Sequence, residues 1–572
     1  MLDFKNQLSM LAAAAAEEKF PGCDLTAEAV FEMLEYPPDT TMGDVALPCF
    51  KLSRTLRKAP PMIAKELCEA ISGKGEGVIS SVTADGGYLN FKISNNYLVN
   101  NVLLAVEEKG DMYGSNGMGE GKTVVLDYSS PNISKPFHIG HLGTTVIGHS
   151  LKLLHEFEGY KCVGINHLGD WGTQNGKQIV AFKRWGDREK VEREGIDALV
   201  ELYVKFHAEA ELDPSLNDEA RAEFKKLEEH DPENIALWKW FIDVSFKEYE
   251  VTYNQLGISF DSYNGESFYT DKMAEQIDKM KDMGLLKLDD GASIVDLEEY
   301  GMPPCLILKR DGTTLYPTRD IAAAVYRKRT YDFDKCIYVT SNGQSLHFAQ
   351  WFKVVEMMGY DWSDKLIHIP YGTVSIGGEK LATRTGNVIL LKDLFRQAIE
   401  KVTELMDEKN PDLPDKEAVA EAVGVGAVVF HYLYNNRTRD INFILENALS
   451  FEGSTGPYAQ YTYARTCSIL EKAGELAKGD VVITAEEEAD VLKTLNRFPE
   501  KVLEAISEYE PSVVTRYIID LCTAFNRFYH NCPIISAEDE ATRNTRLRIT
   551  AAVQTVLGRA LSLICMKAPK KI

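Results

Sequence analysis

Positive charge is scarce in this sequence. Its 572 residues carry 63 Lys and Arg against 86 Asp and Glu, a formal net charge of −23. That balance argues against a chain coated in nucleic-acid-binding lysines, yet it allows one local basic face, because phosphates are met by a patch and not by a sum. The ten cysteines include no C-x-x-C pair and no Cys/His cluster at zinc-ligand spacing, so neither a disulfide framework nor a structural zinc or other metal site is expected. No apolar run is long enough to span a bilayer, and the start Met1-Leu2-Asp3-Phe4-Lys5 lacks the basic region and cleavage pattern of a secretory signal. No internal repeat is found. These absences together point to a soluble, cytoplasmic chain with reduced thiols and no membrane partner.

What is present is a large apolar fraction, 45% of residues, in a chain too long for one core. Residues 1–115 mix helical stretches (Phe4–Lys19, Pro61–Ile71) with short strand-like runs (Val78–Val82, Tyr88–Ile93), which suggests a small α+β domain. Glycines rise at Ser115–Gly119. Then Thr123–Tyr128 reads as a strand, His138–Phe157 as a helix and Cys162–Asn166 as a second strand, one βαβ unit of a doubly wound parallel sheet. A charged helical insertion is expected at about 184–253. Strand-type runs resume at Ile294–Leu297, Cys305–Leu308 and Lys335–Thr340, and the sheet domain, 120–398, closes near Lys392. Residues 399–572 read as helices, among them Ala418–Tyr434, Tyr458–Lys478, Glu486–Ile506, Ser512–His530 and Thr545–Met566.

The βαβ unit carries the strongest chemical signal. Its helix opens with His138-Ile139-Gly140-His141. A helix start attracts phosphate through its free N–H groups and dipole, two histidines three apart share a face, and Gly140 lets a flat base or ribose approach the backbone. Such geometry suits a phosphoryl group in flight. A bare His-x-x-His also arises by chance, so its context matters.

That context is Leu126-Asp127-Tyr128-Ser129-Ser130-Pro131-Asn132-Ile133-Ser134-Lys135-Pro136-Phe137 leading into the two histidines. It resembles the signature loop of class I aminoacyl-tRNA synthetases, and in particular that of arginyl-tRNA synthetases. The segment Gly377 to Asn387, with Lys380, Thr383 and Arg384, resembles the family's second ATP loop, although Ala382 stands for a serine and Thr385 for a lysine. In arginyl enzymes that lack the second loop lysine, a lysine ahead of the histidines is thought to replace it, and Lys135 has that position. The resemblance implies Lys135, His138, His141 and Lys380 as catalytic residues, and His138, Gly140, His141, Lys380, Thr383 and Arg384 as contacts to ATP, which enters as its Mg2+ complex.

Tyr316-Pro317-Thr318-Arg319-Asp320 resembles the arginine-binding run of the family, with Tyr316 and Asp320 against the side chain. A guanidinium calls for a buried carboxylate and an aromatic neighbour, although Asp320 would also suit a helix cap. Asn166 to Gly172 and Gln344-Ser345-Leu346-His347-Phe348 resemble two further pocket segments. Ser130, Asn132, His141, Asn166 and Gln344 carry over as contacts to the amino acid, while Trp171 and Phe348 would equally serve as core. Gly143, where the family usually has arginine, departs from the pattern.

Phe451 to Tyr461 resembles the start of the family's helical anticodon-binding domain, so Tyr458, Tyr461 and Arg465 either meet unstacked bases or pack the bundle. Pro37 to Asp44, with Gly86 to Phe91, resembles its N-terminal tRNA-contacting domain. The fold expected is α/β: a Rossmann-type parallel-sheet catalytic domain with a helical insertion, a small N-terminal α+β domain and a C-terminal all-α bundle. The implied activity is an arginine–tRNA ligase working as a monomer on L-arginine, ATP and tRNA(Arg). Adenylate formation would need tRNA present, and the 2′-hydroxyl would attack. A class I synthetase for another amino acid, a non-catalytic tRNA-binding paralogue and a small nucleotidylyltransferase are the rivals. Asp320, the retained histidines with their lysines, and the helical tail speak against them in turn.

Overall fold

The computed structural model describes residues 1–39, 41–376, 379–380, 389–476 and 479–572. At the N-terminal end, an antiparallel sheet runs in the order Val45–Pro48, Tyr88–Ile93, Ile79–Asp85. Helix Pro60–Ile71 packs on it, and helix Leu2–Lys19 packs on that helix through a stripe of Phe4, Leu8, Ala12 and Ala15, spaced for one buried face.

The catalytic domain is built on four parallel strands, β1 (Thr123–Asp127), β2 (Lys161–Ile165), β3 (Lys335–Ser341) and β4 (Leu366–Tyr371), in the spatial order β4-β3-β1-β2. Their apolar runs are buried, as a sheet covered on both faces requires: Val124, Val125, Leu126 and Ile337 are fully enclosed. The chain leaves β1 through helix α1 (Ile139–Phe157), pairs β2 on one side, and much later returns with β3 on the other. The order thus reverses beside β1. The carboxyl ends of β1 and β3 flank this switch point, where doubly wound sheets bind their ligands.

Between β2 and β3 lies the helical insertion, whose long helices are Thr173–Trp185, Ile196–Leu212, Ser215–Glu228 and α2 (Pro232–Leu256). Next come a three-stranded antiparallel sheet and helix α3 (Tyr316–Tyr331). The tail packs helices Lys416–Tyr434, Gly456–Ala473, Ser512–Asn531 and Glu540–Leu563 around one apolar core.

Several expectations are corrected. The runs at Ile294–Leu297 and Cys305–Leu308 do not extend the parallel sheet. They fall in the antiparallel sheet Leu286–Asp289, Ala292–Val295, Cys305–Leu308. The cause is the turn Asp290-Gly291, where both residues have positive φ (46° and 81°), the conformation of a two-residue hairpin. The expected helix Glu486–Ile506 is two helices, Glu486–Asn496 and Phe498–Ser507, because Pro499 belongs in a first helical turn and not in an interior. The last helix starts at Glu540, five residues before the expected Thr545, since the Asp539 side chain caps it by accepting from the Thr542 N–H. The division expected near 399 lies inside a continuous helix, Leu391–Lys409. The tail is also not purely helical, because Ile441–Phe443 pairs in parallel with Val374–Ile376.

The departure at Gly143 has a steric reason. A Cβ there would lie 2.2 Å from the Tyr432 hydroxyl and 3.1 Å from the Tyr371 ring. Tyr432 is buried, so the bundle presses on α1 at this point. Overpacking costs about 1–3 kcal/mol, against about 1 kcal/mol gained by alanine over glycine in a helix. Gly143→Ala should therefore lower the urea midpoint, and adding Tyr432→Phe, which removes the clashing oxygen, should recover part of the loss.

Candidate active site

The loop from β1 to α1 crosses the switch point under backbone strain. Ser129, Ser130 and Ser134 all have positive φ (72°, 49° and 57°), a conformation costly for residues with a Cβ and held only by surroundings that over-determine it. The insertion supplies those surroundings. Ser245, Tyr249 and Tyr253 stand four apart on one face of α2. Ser245 Oγ accepts from Ser134 N–H at 2.9 Å, the Tyr249 hydroxyl reaches the carbonyls of Asn132 and Lys135 at 2.7 and 2.8 Å, and the Tyr253 hydroxyl lies 2.7 Å from Ser129 Oγ.

At the mouth of α1, His138 is the N-cap and not a residue of the first turn. Its Nδ1 accepts from Gly140 N–H at 3.0 Å, while His141 Nδ1 accepts from His138 N–H at 3.2 Å. With both Nδ1 atoms accepting, each ring carries its proton on Nε2 and presents it as a donor. The rings lie 3.9 Å apart, and Phe137 stacks on His141. Burial, with the charge of Lys135 in support, lowers His138 to about 4; burial, then His138 and Lys135, lowers His141 to about 3. Both are neutral at pH 7. They act as dipolar N–H donors, and the positive charge at this end of the sheet comes from Lys135, whose ammonium lies 6.0 Å from the Tyr203 ring.

The second loop is anchored to the first. Ile139 N–H donates to Ile389 O, Leu391 N–H donates to Phe137 O, and His138 bridges Leu390. On the other side, Glu379–Lys380 pairs with Val374–Ile376, with Lys380 opposite Ser375. Thr383 and Arg384 lie outside the described residues.

Around the switch point, Asn132 lies directly on Gly169, where a Cβ would sit 1.9 Å from Asn132 Oδ1. Ser130 Oγ donates to Asp127 Oδ1 at 3.0 Å and accepts from His167 N–H at 3.2 Å. Asn166 donates to the Tyr253 hydroxyl at 3.0 Å, and its Oδ1 is buried without a partner. Trp171 packs on Phe224 and Trp238, and Phe348 stacks on His368, so both serve as packing.

Two expectations about the side-chain pocket change. Asp320 is only half-buried and receives His347 Nε2 at 2.6 Å. It does not cap α3, whose N-cap is Leu315. Tyr316 is 65% exposed, and Gln344, in the turn after β3, is exposed as well. A carboxylate more enclosed than Asp320 is Glu266, which the sequence reading missed. Arg319 holds it at 3.0 Å, with the two side chains 11% and 14% exposed. Its placement follows from the Leu168-Gly169-Asp170 segment: Leu168 O accepts from Glu266 N–H, and Asp170 accepts from Ser267 N–H and Oγ at 2.9 and 2.6 Å. Asp127 and Arg327, a buried pair 2.7 Å apart beneath Ser130, were missed too. No local spacing marks any of the three, because their partners lie far off in sequence.

Three family models cover this architecture. The class I (R) tRNA synthetase catalytic domain matches residues 100–445, the DALR anticodon binding domain 459–572, and the arginyl tRNA synthetase N-terminal domain 6–93. The chain belongs to the arginyl-tRNA synthetase family. It is 50% identical to the arginine–tRNA ligase of Alkaliphilus metalliredigens over the full length of both chains, and 48% identical to that of Halothermothrix orenii, again full length. The solved arginyl-tRNA synthetase of Thermus thermophilus has the same fold, with a TM-score of 0.81 at 24% identity, covering 99% of this chain and 100% of that one. Ligation of arginine to tRNA, at the expense of ATP, is the activity of this synthetase. Among the described residues, no helix is long and apolar enough to cross a membrane.

The anticodon-domain residues divide. Tyr458 and Arg465 are tied to Asn526 inside the bundle, with Arg465 held between the rings of Tyr461 and Tyr529. Tyr461 and Tyr529 themselves are exposed.

With Glu266 as part of an arginine pocket, as proposed below, binding is expected to depend on pH. Burial raises its carboxyl to about 7, with Arg319 opposing and the charges of Asp320 and Asp170 assisting. A guanidinium ligand needs the carboxylate form, so arginine affinity should rise with pH, up to about tenfold per unit below 7, and level off above it. Calorimetric titrations from pH 5.5 to 8.5 test this. Glu266→Gln should be flat, and the same slope in that variant would assign the effect to another group.

Proposed function

We propose that the arginine α-amino and carboxylate groups bind to Ser130, Asn132, His141, Asn166 and Gln344, and that the guanidinium lies against Glu266, Asp320 and Tyr316. The observation that carries this reading is Glu266: a carboxylate more enclosed than Asp320 that is already paired with a guanidinium, that of Arg319. The partnerless Oδ1 of Asn166 supports the amino end, since a buried acceptor without a donor suits an ammonium.

ATP enters with Mg2+ on its phosphates and lies along Gly140 at the start of α1, with His138 and His141 donating from Nε2 and Lys135, Lys380, Thr383 and Arg384 around the triphosphate. An arginine carboxylate oxygen attacks the α-phosphorus, and the bond to the departing pyrophosphate breaks. The 2′-hydroxyl of the terminal adenosine then attacks the arginyl carbonyl carbon, and AMP leaves. No side chain becomes covalently attached. Positioning and charge stabilisation lower both barriers, and a lysine on a flexible stem can follow the charge as it moves to pyrophosphate. We further propose that the fold takes no structural zinc, since no cluster of metal-capable side chains occurs among the described residues. The chain would work as a monomer, and in the cytoplasm, in keeping with ten free thiols.

Pyrophosphate exchange with each amino acid, with and without tRNA(Arg), tests the reading. Exchange is expected with arginine alone and only when tRNA is present. Lys135→Ala should lower kcat about 10²-fold or more, the scale of losing one stabilising donor in a transition state. Asp320→Asn should raise the arginine KM at least tenfold, whereas an unchanged KM would remove Asp320 from the pocket. Tyr461→Ala should raise the KM for tRNA alone, by the equivalent of about 1–3 kcal/mol for one stacked base.

A further inference from the structure

Both carboxylates of the guanidinium pocket already have a partner within the chain. Asp320 has the His347 imidazole, and Glu266 has the Arg319 guanidinium. The second arrangement copies what the substrate must do. Arg319 shares the opening turn of α3 with Tyr316, its guanidinium carbon lies 5.8 Å from that ring, and it meets Glu266 as an incoming guanidinium would. The copy is imperfect. Nη1 lies 3.0 Å from the carboxylate, but Nε is buried without a hydrogen-bond partner.

We propose that Arg319 is a specificity-determining residue that occupies the guanidinium subsite on Glu266 until L-arginine replaces it. The inference rests on the reading of Glu266 as part of that subsite. A replacement of guanidinium by guanidinium leaves the buried carboxylate paired throughout, so no intermediate state carries the cost of an uncompensated enclosed charge. A substrate free to align two parallel N–H bonds improves on Arg319, whose Nε stays buried and unpartnered, and this surplus drives the exchange. A neutral isostere such as citrulline would leave Glu266 unpaired, and the point charge of lysine cannot reproduce the planar fork. The discrimination thus lies in the displacement as well as in the final contacts. The displaced side chain has a way out towards Tyr316, which is 65% exposed.

An occupant that must leave lowers apparent affinity by the fraction of time the subsite is free. Arg319→Met removes the competing cation and keeps a chain of similar length. Calorimetry on the full-length protein at pH 8 should then show L-arginine binding at least threefold more tightly than to the wild type, methylguanidinium binding where the wild type shows none, and a smaller preference for arginine over L-lysine. Arginine affinity that is unchanged or weakened in this variant overturns the proposal. Glu266→Gln separates the two readings. If it binds arginine like the wild type, the subsite itself is misassigned; if it loses at least tenfold while Arg319→Met gains nothing, only the placeholder role fails. A structure of the wild-type protein with L-arginine bound needs no variant: Arg319 is expected to have left Glu266, and finding it still paired there would overturn the inference.

Discussion

At the carboxyl end of β1, a buried ion pair governs the geometry of the site. Arg327 is almost wholly enclosed, and it meets Asp127 at 2.7 Å. Removing one member of such a pair typically costs about 3–5 kcal/mol, because the other is left as a bare charge in a medium of low polarity. The pair joins α3, which carries the side-chain pocket, to the strand that delivers the signature loop. Through Asp127 it also fixes Ser130, and through Ser130 the backbone of His167. One interaction therefore sets the distance between α3 and the loop from β1 to α1.

The surrounding elements extend this constraint. The insertion braces the strained serines through one face of α2, so it belongs to the active site as much as the sheet does. Leu390 bridges the histidine turn, and Glu379–Lys380 pairs with the strand Val374–Ile376, which also pairs with Ile441–Phe443. Helix Lys416–Tyr434 also presses on α1, at the contact of Gly143 with Tyr432. The histidines, neutral and protonated on Nε2, offer directed donors, leaving the mobile charge to lysine.

Much of this was legible in the residues. The buried apolar runs of β1 and β3, the helix opening at His138 and the long helical tail follow from local pattern, and the loop from Ser130 to His141 with Tyr316 and Asp320 carried the resemblance to arginyl enzymes. The errors have local physical causes that were also present. Asp290-Gly291 is a hairpin turn, Pro499 divides a helix and Asp539 caps one, and in each case a turn or cap rule outweighed the apolar periodicity.

By itself, then, the sequence determined the class of fold and the arginyl-tRNA synthetase family, because these depend on contiguous motifs whose spacing is preserved in the chain. Only the tertiary structure decided that Glu266 is more enclosed than Asp320, that Arg319 is its partner, and that Asp127 and Arg327 support the loop. Those depend on residues about 50 to 200 positions apart meeting, and on burial, which no local spacing encodes.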